Sequence, residues 1–391
     1  MTETGNMTIA TKRFTLDGSA ALEKRLAILC EAAARGVQFL VPADKLEALV
    51  LGGGYGRGQG GVLRDGTGEH AYNDLEFYVF IRGDARLNEH RFHEPLARLG
   101  ANLLPQLELH VEFKVYSTNK LRGQPVTMFT YDLAAGHHMI VSDETVFSGC
   151  EHHLAAHEIP LYEATRLLFN RCTGLLFAMA KLRKPAFSDE DADFVGRNIA
   201  KAQLALGDVV LTVFGQYHWS VLERRDRLAK MSPRGPLPWL GDVQRHHAIG
   251  AEFKLHPQRT QSSNVTLNGI HGEVSALARE VWLWLENRRL GAQFKSTHEY
   301  AFSSANKCSE TSGAKNILLN LTTFGGSALF GRGVSRYPRE RALCALPLLL
   351  WPVDGAQNGE VERHLRRQLL TNATKWEDIL AAYTRIWQRF S

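Results

Sequence analysis

The sequence predicts an α/β (α+β) domain followed by an all-α domain. Three observations predict it. An apolar run enters a glycine-dense turn near residue 53, segments of strand character recur up to residue 141, and helical periodicity dominates from residue 160 onwards. Residues 1–13 read as a flexible polar N-terminus, 14–158 as the α/β domain and 159–391 as the helical domain.

Taken in order, Leu22, Leu26, Leu29 and Ala33 recur near the helical period over residues 19–34, and Gly36 reads as the stop signal. Residues 42–50 predict a short helix or turn leading into a strand around 49–51. The glycine turn follows. Residues 64–71 carry only turn chemistry and predict a surface loop. A second strand is expected over 72–81, a helix over 88–99, and a half-buried strand over 107–116 whose polar face carries Glu108, His110, Glu112 and Lys114. Residues 126–133 and 139–141 predict two further strands, or a strand and a lid.

Beyond residue 159, helices are expected over 161–182 and 189–228, the latter broken near Gly215, and then over 268–289, 314–321, 339–350 and 359–391. Trp282 and Trp284 read as core. Arg197, Lys201 and Asp208 line one helix face, as a charged stripe does. Together with Arg166, Asn170, Arg171, Tyr217, Glu223 and Arg224 they are candidates for contact with a substrate. The histidines His152, His153 and His157, and the doublets His137-His138 and His246-His247, read as surface turns with no zinc-protease pattern around them.

Composition excludes several classes. Hydrophobic content of 44% and charged content of 22% describe a globular chain, and the net charge of +5 is a weak attraction for polyphosphates. The five cysteines are odd in number and contain no Cys-x-x-Cys pair, which predicts neither a disulfide framework nor a cysteine zinc site. The first residues lack the apolar core of a signal peptide, and the apolar run at 342–353 falls short of the roughly 20 residues a membrane span needs. The expectation is a cytoplasmic protein with no membrane partner.

Chemistry concentrates at residues 50–81. Asp74 and Glu76 are separated by a single residue, so in a strand they share a face with Cα atoms roughly 6–7 Å apart. Magnesium takes oxygen ligands and is held by one or two carboxylates plus phosphate. Gly53, Gly54, Gly56 and Gly58 let backbone approach phosphate oxygens with no Cβ in the way, and Arg57 adds charge. Tyr55 reads as a cover over the loop. Glu112 is the candidate third carboxylate, as a second metal ligand or a general base, with Glu108 its rival on the same strand face. Lys114 and Lys120 are candidate phosphate contacts.

These motifs resemble the DNA polymerase β-like nucleotidyltransferase superfamily, in particular its small bacterial branch with the aminoglycoside nucleotidyltransferases. Gly53-Gly54-Tyr55-Gly56-Arg57-Gly58 is similar to the Gly-Ser-x-Ala-Arg-Gly form of its first motif. Asn73-Asp74-Leu75-Glu76-Phe77 is similar to Ser-Asp-apolar-Asp-apolar, and Val111-Glu112-Phe113 to the third motif. The resemblance spans about residues 40–120. It implies a nucleotidyltransferase-type mixed sheet with flanking helices, a helical substrate-binding domain, and Asp74, Glu76 and Glu112 as catalytic and metal-binding carboxylates. It also implies Mg2+, with a two-metal site open, and ATP or another nucleoside triphosphate as co-substrate.

The implied reaction transfers a nucleoside monophosphate, AMP from ATP being first choice, to a hydroxyl acceptor with release of pyrophosphate. The acceptor is open between a small molecule, a protein and an RNA end. The alternative is a non-catalytic nucleotide sensor or antitoxin-like regulatory protein. The Arg-then-His spacing of HEPN ribonucleases does not occur after residue 160.

Overall fold

A computed structural model describes residues 13–103, 109–142, 144–232, 235, 237–329, 333–352 and 358–391. It is a mixed α/β chain with a four-stranded mixed sheet and a helical C-terminal region. The chain divides into two compact units. One runs to Ile159 and takes in Gly215–Asp226 and Ala251–Gln258; the other comprises Pro160–Phe214, Arg227–Gly250 and Arg259–Ser391.

In the first unit the sheet contains β1 (Leu46–Leu51), β4 (Leu75–Ile81), β5 (Val111–Tyr116) and β6 (His138–Val141), in the order β5-β4-β1-β6. β1 is antiparallel to β4 and β6, whereas β4 and β5 run parallel. A parallel pair needs a crossover, and α3 (Ala85–Leu103) supplies it. Strand alternation sorts side chains onto two faces. Phe77, Val79, Ile81, Val111 and Phe113 pack with Leu22, Leu26 and Leu29 of α1 (Ala20–Leu40) and with Phe92 and Leu96 of α3. Tyr78 and Phe80 face the other way, against Leu121 of α4 (Thr118–Gly123) and Leu133 of α5 (Met128–Ala135). Glu76, Glu112 and Lys114 share the parity of this second face.

Three local expectations are corrected. α1 does not stop at Gly36 but runs on to Leu40, because Gly36 is where α3 comes close: a Cβ there would lie 2.5 Å from Leu99 Cδ1. Residues 64–71 are not a loop but most of a hairpin, β2 (Gly61–Asp65) and β3 (Gly68–Tyr72), turned at Gly66-Thr67. The Asp65 carboxylate caps that turn by accepting from Thr67 N–H at 2.9 Å. Residues 128–135 form a helix rather than a strand, since the Thr127 hydroxyl accepts from Thr130 N–H and the Thr130 hydroxyl bonds back to Thr127 N–H.

The second unit is helical. α6 (Leu161–Leu182) and α7 (Asp189–Val213) pack along each other and against α10 (Asn264–Leu290). Between α7 and α10 come α8 (Val221–Ala229), which belongs to the first unit up to Asp226, and α9 (Leu240–Leu255), which belongs to the first unit from Ala251; α11 (Thr297–Phe302), α12 (Gly313–Phe324), α13 (Arg339–Leu350), α14 (Asn358–Leu369) and α15 (Trp376–Phe390) follow in the second unit. Gly215, with φ of +66°, terminates the α7 segment as expected. Trp282 is fully buried, and Trp284 is partly buried against Phe214 and Trp239. The five cysteines are free and buried. Among the described residues no helix is long and apolar enough to cross a membrane.

Several polar residues expected at the surface are buried. His153 is enclosed and donates from Nε2 to Leu121 O at 2.8 Å. His137 donates from Nδ1 to Leu133 O at 2.8 Å. In the helical unit His246 meets Gln203 at 2.9 Å, and His247 Nε2 lies 3.1 Å from Asp208 Oδ1. Asp208 is therefore an interior partner and not part of a solvated stripe, while Arg197 pairs with Asp193 on its own helix. Burial of a histidine is tolerated where each ring finds a partner, and sequence spacing does not reveal such partners.

Candidate active site

The site begins where β1 ends. Leu51 leads through Gly52 into a single short helical turn, α2 (Gly53–Gly56), and Gly52 N–H donates to Glu76 O at 2.9 Å, tying the turn to β4. Two glycines are dictated by geometry. Gly53 has φ of +62°, and a Cβ on it would come 2.8 Å from Glu76 Oε2; a Cβ on Gly56 would fall 2.0 Å from Leu51 O. The turn thus lies directly against the Glu76 carboxylate. Gly54 O accepts from Arg57 N–H at 3.2 Å and Gln59 N–H at 2.9 Å, and Gly58 follows with φ of +72°.

Tyr55 is buried, as a loop cover would be. Its hydroxyl accepts from Tyr72 N–H at 2.6 Å and donates to Gly61 O at 2.9 Å, which fastens the base of the hairpin to the turn.

Arg57 is engaged inside the protein. Its Nε donates to Gly53 O at 2.9 Å and its Nη1 to Asp132 Oδ2 at 2.5 Å, with the side chain only 11% exposed. Asp132 also accepts from Tyr217 Oη at 3.2 Å, and Arg224 Nη1 donates to Tyr217 Oη at 3.0 Å. Gln59 uses both ends of its amide on the same segment, donating to Ser220 Oγ at 2.7 Å and accepting from Val221 N–H at 2.8 Å. The segment 215–226 is therefore built into the first unit through Arg57, Asp132 and Gln59. Nothing in the spacing of the sequence links residues so far apart.

The carboxylates come from the sheet. Glu76 on β4 is in direct register with Glu112 on the parallel β5. Lys114, two residues along β5 on the same face, places Nζ 3.0 Å from Glu76 Oε1 and 3.1 Å from Glu112 Oε2. Partial burial opposes the lysine charge, but Tyr78, Glu76 and Glu112 outweigh it and hold its pKa above the ordinary lysine value.

Asp74 differs from expectation. β4 begins at Leu75, after Asn73 with φ of +74°, so Asp74 lies outside the strand. Its side chain is 61% exposed, with His110 Nδ1 at 3.9 Å. Glu108 lies outside the described residues.

Among the described residues no three His, Cys, Asp or Glu side chains are gathered as a metal site. The Glu76–Glu112 pair nonetheless fits a magnesium ion in donor chemistry, since two half-exposed carboxylates flank a position that a lysine cation already fills. Two-carboxylate ligation there requires the Lys114 ammonium to move aside.

Lys114 as the bridge between the acids, and Asp132 as the partner of Arg57, are the features that reading the sequence missed. The i, i+2 spacing of Glu112 and Lys114 was the available signal for the first. The chain matches no protein-family model, no curated protein and no solved structure.

Proposed function

We propose that the first unit is a magnesium-dependent nucleotidyltransferase. It moves a nucleoside monophosphate from ATP or another nucleoside triphosphate to a hydroxyl acceptor, releasing pyrophosphate. The observation that carries this reading is the in-register pairing of Glu76 and Glu112 beside the Gly53 turn. An acid-bearing strand antiparallel to the one feeding the turn, followed by a parallel acid-bearing neighbour, supports a nucleotidyltransferase-type sheet.

Glu76 and Glu112 are the proposed magnesium ligands, with Asp74 at the strand entrance as a further one. Magnesium, when bound, neutralises the triphosphate and aligns the reacting oxygens. The Gly53–Gly58 backbone receives phosphate oxygens, and Lys114 passes from the carboxylates to a phosphate oxygen. Arg57 acts by keeping the turn in shape through Gly53 O and Asp132. The acceptor oxygen bonds to the α-phosphorus, its proton goes to Glu112, and the bond to the bridging oxygen breaks as pyrophosphate leaves.

One observation favours a second reading. Lys114 already neutralises the two acids, which suits a non-catalytic nucleotide sensor. Incubation with magnesium, α-labelled nucleoside triphosphates and cell extract separates the two. Transfer of label with pyrophosphate release, lost in Glu76→Gln and Glu112→Gln, supports the enzyme. Magnesium-dependent nucleotide binding without transfer supports the sensor.

A further inference from the structure

The helical unit holds a cavity of about 260 Å3 whose lining includes Phe302, Ser303, Arg336, Arg341, His364 and Arg367. Arg341 is 7% exposed, and its Nε has no hydrogen-bond partner. Its Nη1 reaches Arg367 O and Gln368 O only at 3.5 Å, the limit for such a bond. No carboxylate among the described residues forms an ion pair with it, and burial lowers its pKa. A buried guanidinium in that state is costly unless an anion meets it. Gly333 borders this group, and a Cβ there would sit 3.4 Å from Arg341 Nη2.

Arginines outnumber acids in the surroundings. Arg336 and Arg367 share the cavity, and Arg363 lines an adjoining one of about 460 Å3 together with Arg367, Phe302, His364 and Glu360. Glu340, the acid of the inner cavity, already accepts from Lys307 N–H at 3.0 Å and lies 3.9 Å from Arg336. His364 stacks on Phe302 at 4.1 Å, forming a flat wall common to both cavities.

We propose that this cavity binds a phosphate-bearing small molecule, with the phosphate held by Arg336, Arg341 and Arg367 and the rest of the ligand in the outer chamber beside Phe302 and Arg363. Three guanidinium groups with planar donor forks match an oxygen-rich anion of charge near two. Phosphate fits better than a carboxylate because its oxygens point in several directions at once. The site belongs to the helical unit alone and goes beyond the nucleotidyltransferase reading.

Calorimetric titration of the full chain at constant ionic strength tests it, with inorganic phosphate, ribose 5-phosphate and malonate as probes. The expected result is saturable binding of at least one phosphate probe, in preference to malonate. Tighter binding of ribose 5-phosphate than of inorganic phosphate marks an ester as the natural ligand, and the reverse order marks free phosphate. Arg341→Gln and Arg367→Gln should each weaken binding about tenfold or more, in line with loss of a charged hydrogen bond. Arg367 is exposed at the rim, so its variant remains informative should Arg341→Gln fail to fold. Glu76→Gln, in the other unit, should bind these probes as before. Absence of phosphate binding, equal binding of malonate, retention in Arg367→Gln, or loss in Glu76→Gln would overturn the proposal.

Discussion

Glu76 and Glu112 stand opposite each other across the parallel β4–β5 pair, and a single ammonium, that of Lys114, bridges them. Two like charges in register destabilise a sheet unless a cation sits between them. Lys114→Met should therefore cost about 1 kcal/mol in urea denaturation with EDTA, the upper end for half-exposed ion pairs. Magnesium should restore more stability to this variant than to the parent chain. An equal response of both proteins to magnesium would show that the carboxylates do not take the metal.

The turn is a second point of test. Gly56→Ala forces a methyl group to within 2.0 Å of Leu51 O, where backbone has to move, and should destabilise by about 2–4 kcal/mol. Gly53→Ala meets both a positive φ and the Glu76 carboxylate, for about 1–3 kcal/mol and a loss of nucleotide affinity. Gly66→Ala, with open space around it, should change stability by less than about 0.5 kcal/mol. Denaturant midpoints of the three variants give the comparison.

Arg57 is largely enclosed and pairs with the partly buried Asp132. Asp132→Ala leaves the guanidinium without its counter-charge and should cost about 2–4 kcal/mol. Because Tyr217 also bonds Asp132, the same change should loosen residues 215–226, detectable as faster amide exchange there. Unchanged protection of that segment would remove Asp132 from its anchoring role.

His364 links stability to pH. Burial, with the nearby Arg367 charge adding to it, pushes its pKa down to about 4 from 6.5. The unfolded chain takes up the proton near pH 6.5 and the folded chain only near pH 4. The stabilisation is complete above pH 6.5 and is lost as pH falls towards 4, by up to about 3 kcal/mol at 1.36 kcal/mol per pKa unit. Urea midpoints at pH 7 and pH 4.5 should differ less in His364→Gln than in the parent.

Much of this architecture was legible in the sequence because local pattern and tertiary environment agree. The helix at 339–350 and the break at Gly215 follow directly from periodicity and glycine chemistry. Where they disagree, reading fails. Gly36 marks a helix crossing rather than a helix end, and residues 61–72 pair because Tyr55 pins their base, a contact no turn signal encodes. The helix at 128–135 announced itself in Thr127 and Thr130, whose reciprocal capping outweighs the strand-like run around them. At the candidate site spacing pointed to the glycine turn and to an Asp74–Glu76 pair, whereas the acids that stand in register are Glu76 and Glu112 on neighbouring strands. The exit of Asp74 from the strand and the partners of Arg57 depend on backbone conformation and long-range packing, which spacing does not carry.

The most direct measurement of the central claim is calorimetric titration of magnesium with each nucleoside triphosphate into the parent chain, Glu76→Gln and Glu112→Gln. The parent should bind at least one nucleotide in a magnesium-dependent manner, and each variant should bind it about tenfold or more weakly. Binding that ignores magnesium, or that survives both substitutions, would contradict that claim.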